Sequence, residues 1–589
     1  MPAETRMPAE TRMPAETLAD LLAGAAAAGS GGLRFVGRDE EATFLGWDEV
    51  RRRAERARSW LVARGVRPGD RVGTVFRTAP GFFDAFFGLL AAGAVPVPLY
   101  PPVRLGRLGE YHRRTAAMLA AAGARLLVAE PLAARLLGEV VALARGALEL
   151  AVLDGLPQPA AGSPPAAAAA DDLALVQFSS GTTVEPKPVA LSHRAILAQV
   201  AALNRHWRHV PGASGVSWLP LYHDMGLIGC VFPALDVAAE LTLIPPELFV
   251  ARPALWLRTL SRYRGMVSPA PNFAYGLCLE KIADDELEGV DLSSWRVALN
   301  GAETVSAEVM RRFNRRFAPW GLEPRALTPV YGLSEASLAV TFSDLDRPFT
   351  SERFDAEALA TSGRALPAPG GTELVSVGRP LPGFAVEIRD AAGAALPAAH
   401  AGRVWVRGPS LMSGYLGLPD ATREVLVDGW LDTGDTGFLY AEELYLTGRA
   451  KDVLILRGRN HPPEEVERAL DGLAGVRTGC AAAVSYRPPE AASDALLVFV
   501  ESRPAPGLGP AALAAACRRR ILAATGLAAD RVLVLAPGTL PRTSSGKIRR
   551  REALRRFLDG ELDPPRRVGW WRLLWAMIRS RRALARAGE

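Results

Sequence analysis

A strand, helix, strand unit beginning at Gly69 fixes the fold class. The chain runs GDRVGTVF, then PGFFDAFFGLLAAG, then VPVPLY: a β-branched run, an apolar helical stretch and a second β-branched run. Two strands joined by a crossover helix lie parallel, and a parallel sheet needs helices on its faces, so the fold is α/β. At 589 residues the chain is too long for one compact core, and at least two lobes are expected.

The same stretch bears on membrane insertion. Ala85 to Tyr100 is the longest uncharged run near the N-terminus, but Gly88, Gly93, Pro96 and Pro98 break it into helix, turn and strand. No segment offers ~18 apolar residues in a row. Hydrophobic residues make up 49% of the chain, too many for a disordered polymer. Lys and Arg number 69 against 63 Asp and Glu, an imbalance too small to suggest a nucleic-acid binder. Cys230, Cys278, Cys480 and Cys517 are far apart and form no CxxC pair. That spacing suggests neither a zinc site nor a disulfide framework, and it fits a reducing, cytoplasmic setting.

The N-terminus repeats MPAETR at 1–6 and 7–12 and starts it again at Met13, with no apolar core for a signal peptide. Residues 1–12 read as a disordered or mis-started tail. Residues 155–170, rich in Pro, Ala and Gly, read as a loose connector before the strand LALVQF. After Tyr445 the chain passes through LTGRAKD into the strand-like runs LLVFVES and VLVLAPG, separated by a helix containing Cys517. This second region is a candidate small α/β domain, followed from Arg566 by a basic, aromatic tail.

Val176 to His193 reads VQFSSGTTVEPKPVALSH. A strand empties into a hydroxyl- and glycine-rich turn whose Ser179, Ser180, Thr182 and Thr183, with nearby backbone N–H groups, suit phosphate oxygens; Lys187 adds positive charge. A polar surface loop after a buried strand is the plainer reading of the turn alone. It is not a Walker loop, and TSSGKI at 543–548 lacks the upstream glycine of one.

Seven further elements follow in order: SWLPLYHDMGLIG (217–229), SPAPNFAYGLC (268–278), NGAE (300–303), YGLSEASLAVTF (331–342), LDTGD (431–435), TGRAKDVLILRGRNHPPEEVE (447–467) and LPRTSSGKIRR (540–550). With these the sequence resembles the acyl-adenylate-forming superfamily and, within it, the fatty acyl-AMP ligases, over about residues 18–558. The resemblance implies a large adenylation domain of parallel and mixed sheets over 13–450, a mobile α/β lid over 451–560 and a basic amphipathic tail over 561–589.

It also implies roles. Ser179, Ser180, Gly181, Thr182, Thr183 and Lys187 would hold the triphosphate of ATP, and Glu335 would be the Mg²⁺ carboxylate. Tyr331 and Gly332 would flank the adenine, while Asp435 and Arg449 would reach the ribose. Lys451 sits at the hinge position, and Lys547 would contact the substrate carboxylate and α-phosphate as charge develops. His223 and Asn272 match acyl-pocket positions, and Gly301, Ala302 and Glu303 belong to a strand edge beside adenine and acyl group.

Taken singly, Glu335 also reads as a carboxylate at a helix N-terminus, Asp435 as a turn residue and Lys547 as a solvated charge. His206 and His209, without further ligands nearby, read as surface or packing residues. Two departures from the family pattern stand in the phosphate loop, where Val184 and Pro188 replace glycines. A β-branched residue and a fixed φ both restrict the backbone, so a slow, reshaped or silent loop is one reading. The persistence of the charged residues favours an active enzyme.

The implied chemistry joins a fatty acid to AMP and then passes the acyl group to a thiol after the lid turns about Lys451. Between Phe342 and Gly378 lie 35 residues that resemble the extra segment of fatty acyl-AMP ligases, placed at about 347–371. In that family the segment goes with delivery to the phosphopantetheine arm of an acyl carrier protein or polyketide or nonribosomal synthase. An acyl-CoA synthetase is the runner-up, and a catalytically silent acyl- or nucleotide-binding homologue a third reading. In the tail, Trp571, Leu574, Trp575 and Ile578 share a helical face with Arg572, Arg579, Arg582 and Arg586 elsewhere. This predicts either peripheral contact with the anionic inner membrane surface or docking on the protein's own body.

Overall fold

A computed structural model describes residues 15–587 except 103–104, 145–147, 156–166, 180–185, 209–211, 457–458, 488–493, 504–507, 544–546 and 565–569. The expected unit is present: strand Arg71–Val75, helix Pro80–Ala91 and strand Val95–Leu99, with the two strands parallel. Pro80 opens the helix, where its fixed φ fits and its missing N–H costs nothing. Phe82, Phe83, Phe86 and Phe87 make the helix apolar on nearly all sides, so it is buried between its sheet and the helix Trp47–Val62. Arg53 from that neighbour clasps the buried Asp84 with two bonds of 2.7 and 2.9 Å.

Among the described residues the central sheet has nine strands, with a parallel core of Leu327–Gly332, Val297–Asn300, Val267–Ala270, Ser214–Ser217, Glu240–Leu243 and Gly32–Val36 in spatial order. The order reverses between Ser214–Ser217 and Val267–Ala270: the chain leaves the first to one side and returns on the other. Those two strands pair only at Val267↔Gly215, and past that point Pro269 has no N–H to give. The strands therefore part at their carboxyl ends, the usual place for a crevice in such a sheet.

Smaller sheets complete the large domain, including an antiparallel one that carries Trp430–Tyr440 against Glu443–Arg449. The expected insertion is ordered. Ser351–Phe354 pairs with Thr372–Val375, the helix Ala356–Ser362 lies between them in sequence, and Phe354 and Leu374 join a small core with Phe438 and Tyr445. The small C-terminal domain has the expected strands Ala495–Ser502 and Arg531–Leu535, parallel and joined through Pro510–Thr525, plus Val476–Tyr486 at the edge. Arg550 ties it together through Glu464 at 2.8 Å, Glu467 at 2.7 Å and Asp452 at 3.3 Å.

The tail forms a helix, Trp570–Ala587, that docks on the large domain. It does so through Leu573, Ala576, Met577 and Leu584 rather than through Trp571, Leu574, Trp575 and Ile578. Gly138 permits the contact: a Cβ there would lie 1.9 Å from the carbonyl oxygen of Ser580. Residues 1–12 and most of the connector at 155–170 lie outside the described residues.

Candidate active site

The crevice is lined from many separate segments of both domains. Leu327–Gly332 ends in Tyr331 and Gly332, followed at once by the turn Ser334–Ala336. Gly332 is required by close approach, since a Cβ would fall 1.7 Å from the carbonyl oxygen of Leu338 on the returning chain. That tight return places Tyr331 and Glu335 on the same rim. Asp435 and Arg449 stand opposite each other on paired antiparallel strands, with Arg449 Nε 3.1 Å from Asp435 Oδ1. The Tyr331 hydroxyl donates to Asp435 Oδ2 at 2.7 Å, so the carboxylate is gripped on both oxygens.

Tyr415 organises the neighbouring rim. Its hydroxyl donates to Glu335 Oε1 at 3.0 Å, and Lys187 Nζ sits 4.4 Å from its ring centre. Burial pushes the Glu335 carboxyl above its ordinary range, with the Tyr415 hydrogen bond and Arg449 pulling the other way. Lys187 is fixed by a two-strand hairpin. Ser179 N–H donates to the Lys187 carbonyl at 2.9 Å, and Lys187 N–H donates to Ser179 Oγ at 3.2 Å. Pro188 opens the strand Pro188–Ser192, a position at which a sheet tolerates proline, and it leaves Lys187 over Tyr415. Val184 lies outside the described residues, as do Ser180, Gly181, Thr182 and Thr183.

Asp224 is buried behind this rim. Its carboxylate accepts from Ser334 Oγ at 2.5 Å and lies 2.6 Å from His223 Nδ1. Burial alone would raise its pKa, but the imidazole of His223 and the Ser334 hydroxyl outweigh it and hold the carboxyl well below the usual range. The small domain contributes Lys547, on a turn closed by Thr543 N–H to Lys547 O at 2.8 Å and Lys547 N–H to Thr543 Oγ1 at 3.0 Å. Burial and the Arg449 charge push the ammonium of Lys547 down, while Asp224, Asp435 and Glu303 draw it up.

Tyr331, Glu335, Arg449, Tyr415, Lys187, Ser179, Asp224 and Lys547 border a cavity of about 200 Å³, while Asp435 faces the second cavity described below. One end carries Ser179, Lys187, Glu335, Arg449, Lys451 and Lys547; the other is apolar, with Leu203, Trp207, Gly229, Leu338 and Phe342. His223 Nε2 is buried in the described structure without a hydrogen-bond partner and lines this cavity. Asn272 does not join it. Its Oδ1 accepts from Asn300 Nδ2 at 3.2 Å and Ser306 N–H at 3.1 Å, and it borders a second cavity of about 250 Å³ between the domains. Glu303 borders that second space too and accepts from the Phe273 N–H at 2.6 Å. Gly301 follows the strand end at Asn300, with Ala302 lining both cavities.

The four cysteines are buried and free. His206 packs against Phe342 with ring centres 4.8 Å apart and planes tilted by 53°, a packing role; His209 lies outside the described residues. Sequence reasoning missed Asp224, Ser334, Tyr415 and the apolar end at Leu203 and Trp207. Asp224 adjoins the matched His223 and was open to notice, whereas Tyr415 lies in a segment without a motif and meets Glu335 only through folding.

The cationic lining suits a polyanionic phosphate chain, and Glu335 offers a hard oxygen beside it. A Mg²⁺ ion that arrives with phosphates takes one or two carboxylates and fills its remaining positions with phosphate and water oxygens, so the residues present fit.

A family model described as AMP-binding enzyme matches residues 25–416. A Caulobacter vibrioides protein with a provisional acyl-CoA synthetase name is 34% identical over 91% of this chain and 94% of its own length. Long-chain-fatty-acid--AMP ligase FadD26 of Mycobacterium marinum is 32% identical over 88% of this chain and 92% of its own. A solved structure from work on fatty acyl-adenylate ligases of E. coli and L. pneumophila superimposes with a TM-score of 0.85 at 33% identity, over 92% of this chain and 98% of that one.

The Asp224 cluster makes a stability prediction. A carboxyl whose folded pKa is depressed adds stability that is full above its unfolded value, about 3.9, and is lost as pH falls through the folded one. Asp224→Asn should therefore cost about 2–3 kcal/mol at neutral pH, and the gap from wild type should begin to narrow as pH falls below about 4. Urea unfolding of both proteins from about pH 7 to about pH 3 checks the size and the sign.

Proposed function

The chain belongs to the AMP-binding enzyme family and is an adenylate-forming ligase, and we propose that it activates a fatty acid and delivers it to a phosphopantetheine arm of a carrier protein. The observation that carries the fatty-acid assignment is the single cavity with a charged end and an apolar end. A carboxylate at the junction has cations on one side and room for its chain on the other.

In the first step a carboxylate oxygen attacks the α-phosphorus of ATP. A new P–O bond forms, the bond to the bridging oxygen breaks, and pyrophosphate leaves with the electron pair. Lys547 stands where it meets both the carboxylate and the α-phosphate, and its charge offsets what builds up in transit. Lys187 and the Ser179 loop receive the triphosphate, Asp435 accepts from the ribose hydroxyls with Arg449 beside it, and Tyr331 flanks the base. Glu335 would hold a Mg²⁺ ion, which would supply neutralisation of phosphate charge. In the second step a thiol sulfur attacks the acyl carbonyl and AMP departs, after the lid has turned about Lys451.

The choice of thiol rests on the insertion. Thr372 Oγ1 donates to Glu465 Oε1 of the small domain at 3.2 Å, Arg468 reaches the Glu373 carbonyl at 3.5 Å, and Arg311 pairs with the Glu373 carboxylate. The strand pair of Ser351–Phe354 and Thr372–Val375, which the segment 347–371 leads into, thus touches both domains, which supports a restraint on the lid. Coenzyme A and the carrier end in the same pantetheine arm, so selection falls to the lobe positions each demands. The provisional name of the Caulobacter relative favours the second reading, an acyl-CoA synthetase.

The intact enzyme with ATP and a fatty acid should accumulate acyl-adenylate in the presence of coenzyme A yet load a holo carrier protein. A folded variant lacking 347–371 should gain acyl-CoA formation. Efficient acyl-CoA production by the unmodified enzyme would overturn the carrier assignment and leave the synthetase.

Lys547→Ala should lower pyrophosphate exchange by about 100-fold or more while sparing transfer from supplied acyl-adenylate. Equal loss in both half-reactions contradicts the role. Trp207 and Phe342 meet in the apolar lining, with ring centres 6.5 Å apart, so Trp207→Ala should shift relative kcat/KM toward longer fatty acids by about tenfold, read from a chain-length panel.

A further inference from the structure

The tail helix Trp570–Ala587 is apolar on two opposite faces, one packed on the large domain and the other largely exposed. The inner face packs Leu573, Ala576, Met577 and Leu584 against the large domain around Gly138–Leu143. Ser580 Oγ accepts the Gly138 N–H at 2.8 Å, and Arg579 Nε lies 3.5 Å from Glu139. These contacts fix the rotation of the helix about its axis. They turn outward Trp571, 60% exposed, Trp575, 59% exposed, and with them Leu574 and Ile578.

The last two turns carry exposed Arg581, Arg582 and Arg586. Between 570 and 587 there are five arginines and no acidic residue. Indole rings favour the boundary between hydrocarbon and water, where the ring is buried and the N–H stays wet. Arginines beside such a stripe favour a negatively charged surface within a Debye length. A stripe of four side chains falls well short of the roughly 800 Å² per partner that a stable protein interface buries. It suits shallow insertion supported by charge.

We propose that this outward face is a docking surface for an anionic lipid bilayer, with the helix lying in the interface plane and the large domain held against it. The proposal does not depend on which acid is activated or which thiol receives it.

The test uses the full chain and vesicles of phosphatidylcholine with and without phosphatidylglycerol. The intact protein should co-sediment with the anionic vesicles and be released by high salt. Leu574→Ser/Trp575→Ser/Ile578→Ser together should lower the bound fraction about tenfold. None of these residues lines either cavity, so pyrophosphate exchange with a soluble fatty acid should be unchanged, which reports that the variant is folded. Failure of the intact chain to sediment, equal binding by the triple variant, or equal binding to pure phosphatidylcholine overturns the proposal. So does a change from dimer to monomer in the variant without vesicle binding by the intact chain, which would make the face an interface between copies.

Discussion

Three carboxylates from three separate segments of the large domain, Asp224, Glu303 and Asp435, face one ammonium from the small domain, Lys547. Buried like charges repel, and each must find a partner or lose its charge. Asp435 is gripped by Tyr331 and Arg449, Asp224 by His223 and Ser334, and Glu303 by the Phe273 N–H. At the domain boundary burial and Arg449 act against the ammonium of Lys547, and these three carboxylates act for it. The position of the small domain and the charge of the cavity rim are thus electrostatically linked.

The same arrangement explains why the site lies where the sheet opens. Pairing between Ser214–Ser217 and Val267–Ala270 stops after one position, and Pro269 of the second strand lines the cavity together with Leu299 and Val330 of the next two strands. The charged rim needs rigid support, supplied by Gly332 beneath Tyr331 and by the paired strands beneath Asp435 and Arg449. An ammonium introduced into a loose loop would gain far less from the same carboxylates.

Much of this was legible in the sequence because motifs record residues whose chemistry admits few substitutes. The parallel unit at 69–100 and the two strands of the small domain followed from their β-branched runs, and Tyr331, Asp435, Arg449, Lys187 and Lys547 do converge. What escaped was contact across long separations. Tyr415 meets Glu335 across 80 positions, and the floor formed by Leu203, Trp207 and Phe342 joins segments with no common motif. Asn272 shares a motif-rich stretch with the cavity wall, yet its amide is spent on Asn300 and Ser306. The tail was read as having one apolar face, with membrane contact and self-docking as rivals. It has two, because Leu573, Ala576, Met577 and Leu584 occupy helical spacings of their own.

The docked tail also alters the mechanics of the small domain. That domain is attached to the large one through Arg449 and Lys451 at its start, and the helix Trp570–Ala587 fastens its far end to the large domain a second time. Between the helix Arg550–Leu558 and the tail lie the eleven residues 559–569. Fully extended, such a strap reaches about 40 Å. The small domain is therefore tethered at both ends, and a swing of the kind proposed above would have to keep the end of Arg550–Leu558 inside that radius or peel Ser580 away from Gly138. The strength of the tail's contact with Gly138 would thereby weigh on where the small domain rests.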